Sequence, residues 1–138
     1  MKNLKMLLVL LFMMGLLPAF AQDNKPPLIK PGDAKDHVEE AATVCGKVVG
    51  SHIAMNGVGG HGFPVNLYID EPESSAVFYF TAFPGESDSG QTKDPKAVVA
   101  AYQGKRVCVT GKILKMKTGA PFIIAADKSK IKIEPAGK

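Results

Sequence analysis

Two cysteines and three histidines are the side chains of this 138-residue chain best suited to metal or nucleophilic chemistry. Cys45 and Cys108 can form a disulfide or offer thiolates to a metal. A structural zinc site takes four ligands, so two cysteines alone fall short of one. His52 and His61 would approach each other if the strands around them form a hairpin, with Asp70 or Glu71 close by. Their spacing follows no known zinc pattern. No metal and no cofactor is therefore expected. The run "GVGGHG", Gly57 to Gly62, satisfies G-x-G-x-x-G letter for letter. That motif holds a pyrophosphate only when a helix follows it, and here "FPVNLYID" follows, which reads as a strand. Dinucleotide binding is excluded on that ground. No G-x-S-x-G or H-E-x-x-H occurs, and the chain reads as a binding protein, not an enzyme.

Binding chemistry is better supplied. A protein that takes single-stranded nucleic acid needs lysines for phosphates and aromatic rings for bases. Tyr68 and Tyr79 are candidate rings. Lys47, Lys112, Lys115 and Lys117 are candidate cations. Each has a plainer role to play: tyrosines are common on strands, and lysines on exposed edges discourage aggregation. Tryptophan is absent.

The elements that would position these groups follow an export signal. Lys2 and Lys5 precede an apolar run from Met6 to Leu17, and Ala19-Phe20-Ala21 is a small-x-small cleavage site. Residues 1–21 read as a signal peptide cleaved after Ala21, which places the protein in the periplasm or outside the cell. The run is short for a bilayer and stops at Pro18, so no membrane span is expected. Without Lys2 and Lys5 the remaining chain holds 15 basic against 13 acidic residues. From Lys105 onward nine basic side chains face only Asp127 and Glu134, a basic end suited to a polyanion.

Residues 22–40 read as a proline-containing, extended lead-in with a short helix after it, capped by Asp33. "TVCGKVVGSHIAM" reads as a first strand, bent at Gly46. "FPVNLYID" alternates, with Val65, Leu67 and Ile69 on one face and Asn66 and Tyr68 on the other. "AVFYFTAF" sets Phe78 and Phe80 against Tyr79. "DPKAVVAAYQGK" is a helix with Asp94 as cap, Pro95 at its first position and Gly104 at its stop. "RVCVTGKILKM" is a fourth strand, and "PFIIAADKSKIKIE" a fifth, in one or two pieces. Three strands, a helix and two strands is the element order of the OB-fold, an all-β five-stranded barrel with one short helix between strands three and four.

The phrases "TVCGKVV", "AVFYFTAFPG" and "GKRVCVTGKI" with the later "GAPFII" and "KIKI" resemble the OB-fold domain of exported bacterial proteins, which occurs alone or beside a nuclease domain. The resemblance covers residues 41–134, and the OB-fold domain is expected over 41–135. It implies the barrel fold and nucleic-acid binding, here in the form without the nuclease domain. In such a barrel the first and fourth strands are antiparallel neighbours, and Cys45 and Cys108 both fall on their less apolar face. In an oxidising compartment such cysteines pair, the alternative being two buried thiols. The expected partner is single-stranded nucleic acid or another polyanion, bound weakly and without sequence preference. The rival is a cell-envelope module that binds a protein or a small ligand. A continuous basic groove beside Tyr68 and Tyr79 would favour the first, and scattered lysines the second.

Overall fold

The computed structural model describes residues 23–57, 61–85 and 94–136. Residues 1–21, expected from the sequence to be a signal peptide, the middle of the glycine run and most of the polar stretch before the helix lie outside them.

Among the described residues, seven strands and one α-helix make up the fold. β1 is Leu28–Ile29, β2 Ala41–Ile53, β3 Val65–Ile69, β4 Tyr79–Ala82, α1 Pro95–Tyr102, β5 Arg106–Leu114, β6 Phe122–Ala125 and β7 Ile131–Ile133. Antiparallel pairing joins β2 to β3, β3 to β4 and β5 to β6, while β4 and β6 run parallel. β2 then pairs with β5 over seven positions, from Ala41 opposite Lys112 to Lys47 opposite Arg106. That last pairing closes a five-stranded barrel, and the protein has the OB fold. β1 and β7 are additions, paired to β2 and β5.

β2 can serve both ends of the ring because it is 13 residues long. Its first half pairs with β5 and its second half with β3. The barrel wall therefore has two parts. The cysteine wall is β1-β2-β5-β7, and the aromatic wall is the far half of β2 with β3, β4, β6 and the end of β5. The strands were legible from their alternation: Val44, Val48, Leu67, Ile69, Phe80, Val107, Val109, Ile113 and Ile123 are fully buried inside the ring. Burying each such side chain contributes roughly 1.5–3 kcal/mol.

α1 covers one end of the barrel, with Tyr102 edge-on to Phe80 at 6.1 Å. Its ends behave as the sequence indicates. The Asp94 side chain accepts a bond from the Lys96 N–H at 2.9 Å, and Pro95 occupies the first turn. Gly104 has φ +76°, which a residue with a Cβ adopts only at a cost, and its N–H donates to the Val48 carbonyl at 2.9 Å. Helix end and barrel wall are thus joined by one turn.

Three expectations change. The lead-in is not merely extended: Leu28–Ile29 pairs in parallel with Thr43–Val44. The following helix is a 3-10 helix over Pro31–Asp36, so Asp33 lies in its first turn and not at its cap. Pro31 fixes the first φ, and burial of Pro31 and Ala34 against the barrel outweighs the longer helical pattern. Nor does any irregularity of register mark a bend at Gly46, which pairs with Val107 in an unbroken ladder. The irregularity in its register lies between Val48 and Gly50, where it passes from one wall to the other.

Candidate ligand-binding face

The outward side of the aromatic wall carries two ordered rows. Gly50, Tyr68, Tyr79, Phe122 and Leu114 stand opposite one another in register. The Tyr79 and Phe122 rings are stacked, 5.0 Å apart and 9° from parallel, and Tyr68 is tilted against Tyr79 at 5.4 Å. Cross-strand aromatic neighbours of this kind stabilise a sheet as well as offering a surface. The second row is His52, Asn66, Thr81 and Ile124. The Thr81 hydroxyl donates to Asn66 Oδ1 at 2.8 Å, which fixes the amide.

Tyr68 and Tyr79 do point outward, as the alternation of their strands requires, but only Tyr79 is accessible. Tyr68 keeps 6% of its surface exposed and Phe122 8%. The missing access at Tyr68 has a local cause. The turn after β3 brings Glu73 over the phenol, and Tyr79 covers its side. Burial, and then the charge of Glu73, push the Tyr68 phenol up to about 12, and burial raises Tyr79 and Tyr102 too. All three tyrosines therefore favour the neutral phenol when folded. Their contribution to stability is complete below the ordinary tyrosine value near 10 and is lost as pH rises through the folded values. An alkaline titration followed at the phenolate absorbance should accordingly show no ordinary step near pH 10. Denaturation midpoints should fall between about pH 10 and 12. Three phenols ionising near pH 10 in the folded protein would contradict this burial.

The four candidate lysines divide. Lys47 and Lys112 lie on the cysteine wall, away from Tyr79. Lys112 Nζ is 2.6 Å from Glu39 Oε2, and the backbone N–H of Lys47 donates to Asp70 Oδ1 at 2.8 Å. Lys115 and Lys117 are exposed in the turn between β5 and β6. Lys115 shares a surface cleft with Val77 and Pro121, and the Pro121 carbonyl accepts from the Tyr79 N–H at 3.3 Å. Lys115 is therefore next to the aromatic row, Lys117 follows it two residues on in the same exposed turn, and Lys47 and Lys112 lie on the other wall, so the four do not line one continuous groove.

The histidines are engaged separately. His52 Nδ1 is 3.3 Å from Glu73 Oε1, and His61 lies edge-on to Phe83 at 5.8 Å. Cys45 and Cys108 stand directly opposite in the β2–β5 ladder and form a disulfide across 63 residues. The sequence reading missed Phe122, whose alternation with buried Ile123 was the available signal. It also missed Ile124, exposed in the second row.

No protein-family model and no curated protein matches the chain. Among solved structures, an aspartyl-tRNA synthetase from Leishmania major Friedlin aligns with 96% of this chain at 11% identity and a TM-score of 0.37. The chain spans about a quarter of that protein, 25%. A likeness at that level decides nothing about function. Among the described residues no helix is long and apolar enough to cross a membrane.

Proposed function

We propose that this is an exported, non-enzymatic OB-barrel protein that binds single-stranded nucleic acid weakly and without sequence preference on its aromatic wall. The observation that carries the reading is Tyr79. It is half-buried, held parallel on Phe122 and central in its wall, and its N–H donates to the carbonyl of Pro121, which lines the cleft of Lys115. A ring fixed in this way loses little freedom when a base stacks on it, and any base offers a π face. Lys115 and Lys117 supply phosphate contacts. Lys47 and Lys112 are assigned no part, and neither is Tyr68. The site is therefore smaller than the sequence indicates: one base platform and two cations.

A protein partner is the second reading, and a specific observation favours it. Met55 and Phe63 beside the β2–β3 connection and Ile124 in the second row are exposed apolar side chains. Exposed apolar groups near one face mark protein contacts more often than nucleic-acid ones. A fluorescence anisotropy titration in low salt with labelled single-stranded oligonucleotides separates the two. Tyr79→Ala should weaken binding about tenfold, within the roughly 1–3 kcal/mol of one stacked base. Undiminished binding by that variant would remove the platform. No binding by the parent would leave the protein-partner reading.

A further inference from the structure

We propose that the Cys45–Cys108 pair, once reduced, is a binding site for one thiophilic divalent cation, with Glu134 as the third protein ligand. The disulfide does not lie alone on its wall. Glu134 Oε1 is 3.2 Å from Cys108 Sγ, although a disulfide sulfur has no hydrogen to donate. The other carboxylate oxygen, Oε2, is held by Arg106 Nε, and the Glu134 N–H donates to the Arg106 carbonyl at 2.9 Å. One oxygen is thus fixed from behind and the other is presented to the sulfur. This is how an outer charged partner orients a metal ligand.

The donor atoms of Cys45, Cys108 and Glu134 lie within 4.8 Å of one another, and all three residues are half-buried. Solvent can therefore reach the site and complete a fourth position. Cys45 also opens onto a surface cleft bordered by Asp33, Asp70 and Arg106, through which a small reductant has access.

The ladder keeps the sulfurs together when the bridge opens. Seven paired positions hold β2 to β5, with the cysteines in mid-run and a Thr43–Thr110 hydroxyl contact of 2.8 Å two residues away. A tetrahedral zinc with sulfur ligands at about 2.3 Å needs its sulfurs roughly 3.8 Å apart. Directly opposed residues reach that separation by rotation about χ1 alone. Without a cation, two thiolates and a carboxylate at this distance repel one another. Two soft ligands and one carboxylate select zinc or cadmium over calcium or magnesium.

The chemistry balances with a dithiol as reductant. The dithiol gives two electrons and two protons, becomes a disulfide, and leaves two cysteine thiols. The cation then displaces both thiol protons, forming two metal–sulfur bonds. Bridge and metal site are alternatives at one place on the wall.

The test uses the full mature protein, reduced with dithiothreitol, freed of it under argon and titrated with Cd²⁺. The readout is the sulfur-to-cadmium charge-transfer absorption. We expect one Cd²⁺ per chain, release of two protons, displacement by Zn²⁺ and no response to Ca²⁺. The oxidised protein should show no such absorption. Glu134→Gln should weaken binding by more than tenfold, and Arg106→Gln by about tenfold. If reduction unfolds the chain, Cd²⁺ should restore the circular dichroism of the parent but not of Glu134→Gln. A reduced protein that binds no Cd²⁺, that is not restored by it, or that binds it equally well after Glu134→Gln, would overturn the proposal.

Discussion

Opening the Cys45–Cys108 bridge lowers the unfolding free energy by about 4 kcal/mol, the value that loop-closure entropy gives for a separation of 63 residues. Few other changes to this barrel should cost as much. The bridge restrains the unfolded chain more than the folded one. In the native state β2 and β5 are already held by seven paired positions, so nothing in the ladder depends on the sulfurs. Stabilities of small domains lie at about 5–15 kcal/mol, so the reduced barrel should remain folded but with a much smaller margin. Urea unfolding of oxidised protein against the Cys45→Ala/Cys108→Ala variant, with chelator present, reads the difference. A loss under about 1 kcal/mol would mean that the unfolded chain gains little freedom when the bridge is removed.

Gly46→Ala should cost about 3 kcal/mol, the upper end of what overpacking a core usually costs. Gly46 is buried in β2, and an added Cβ would sit inside the contact distance of Ile69 Cγ2 and 2.8 Å from Asp70 Oδ1. Ile69 is fully buried and has nowhere to move. Asp70 is equally constrained. Its backbone has φ +62°, its N–H donates to the Lys47 carbonyl, and its carboxylate accepts the Lys47 N–H, the last two both at 2.8 Å. The gain from replacing a strand glycine, about 0.5–1 kcal/mol, acts in the opposite direction and is smaller. Gly32→Ala is the control. A methyl group at that position would meet no atom within 4 Å, so the change should be neutral or stabilise by up to about 1 kcal/mol. Thermal melts should separate the two variants by roughly 10–20 °C. Equal melting temperatures would show that the close approach at Gly46 is relieved at no cost.

The parts of the fold written in local pattern were legible. Val65, Leu67 and Ile69 alternate with Asn66 and Tyr68, and one wall face follows. Asp94, Pro95 and Gly104 mark both ends of α1 by residue type alone. The Cys45–Cys108 bridge was expected from an oxidising compartment and a shared strand face, with two buried thiols as the alternative, and the structure forms it. What stayed hidden depends on distant chain. Leu28–Ile29 is too short, and too close to prolines, to signal a strand. Its partner is 15 residues away. Nothing near Tyr68 in sequence announces that Glu73 will fold over it. The separation of Lys47 and Lys112 from Tyr79 arises where β2 crosses between walls, which period-two reasoning cannot locate. Glu134 reaches Cys108 through the β5–β7 register, 26 residues apart.

Binding of single-stranded nucleic acid on the aromatic wall, with Lys115 and Lys117, is the proposal made above. The salt dependence of oligonucleotide affinity tests it most directly. Each phosphate neutralised on a single strand contributes about −0.7 to the slope of log affinity against log salt. Two engaged lysines predict a slope of about −1.4, whereas engagement of Lys47 and Lys112 as well would give a slope of roughly −3. The shallower slope is expected, with its loss in Lys115→Ala/Lys117→Ala and no change in Lys47→Ala/Lys112→Ala. A slope of roughly −3 that falls when Lys47 and Lys112 are removed would place the ligand on the cysteine wall and overturn the aromatic-wall assignment.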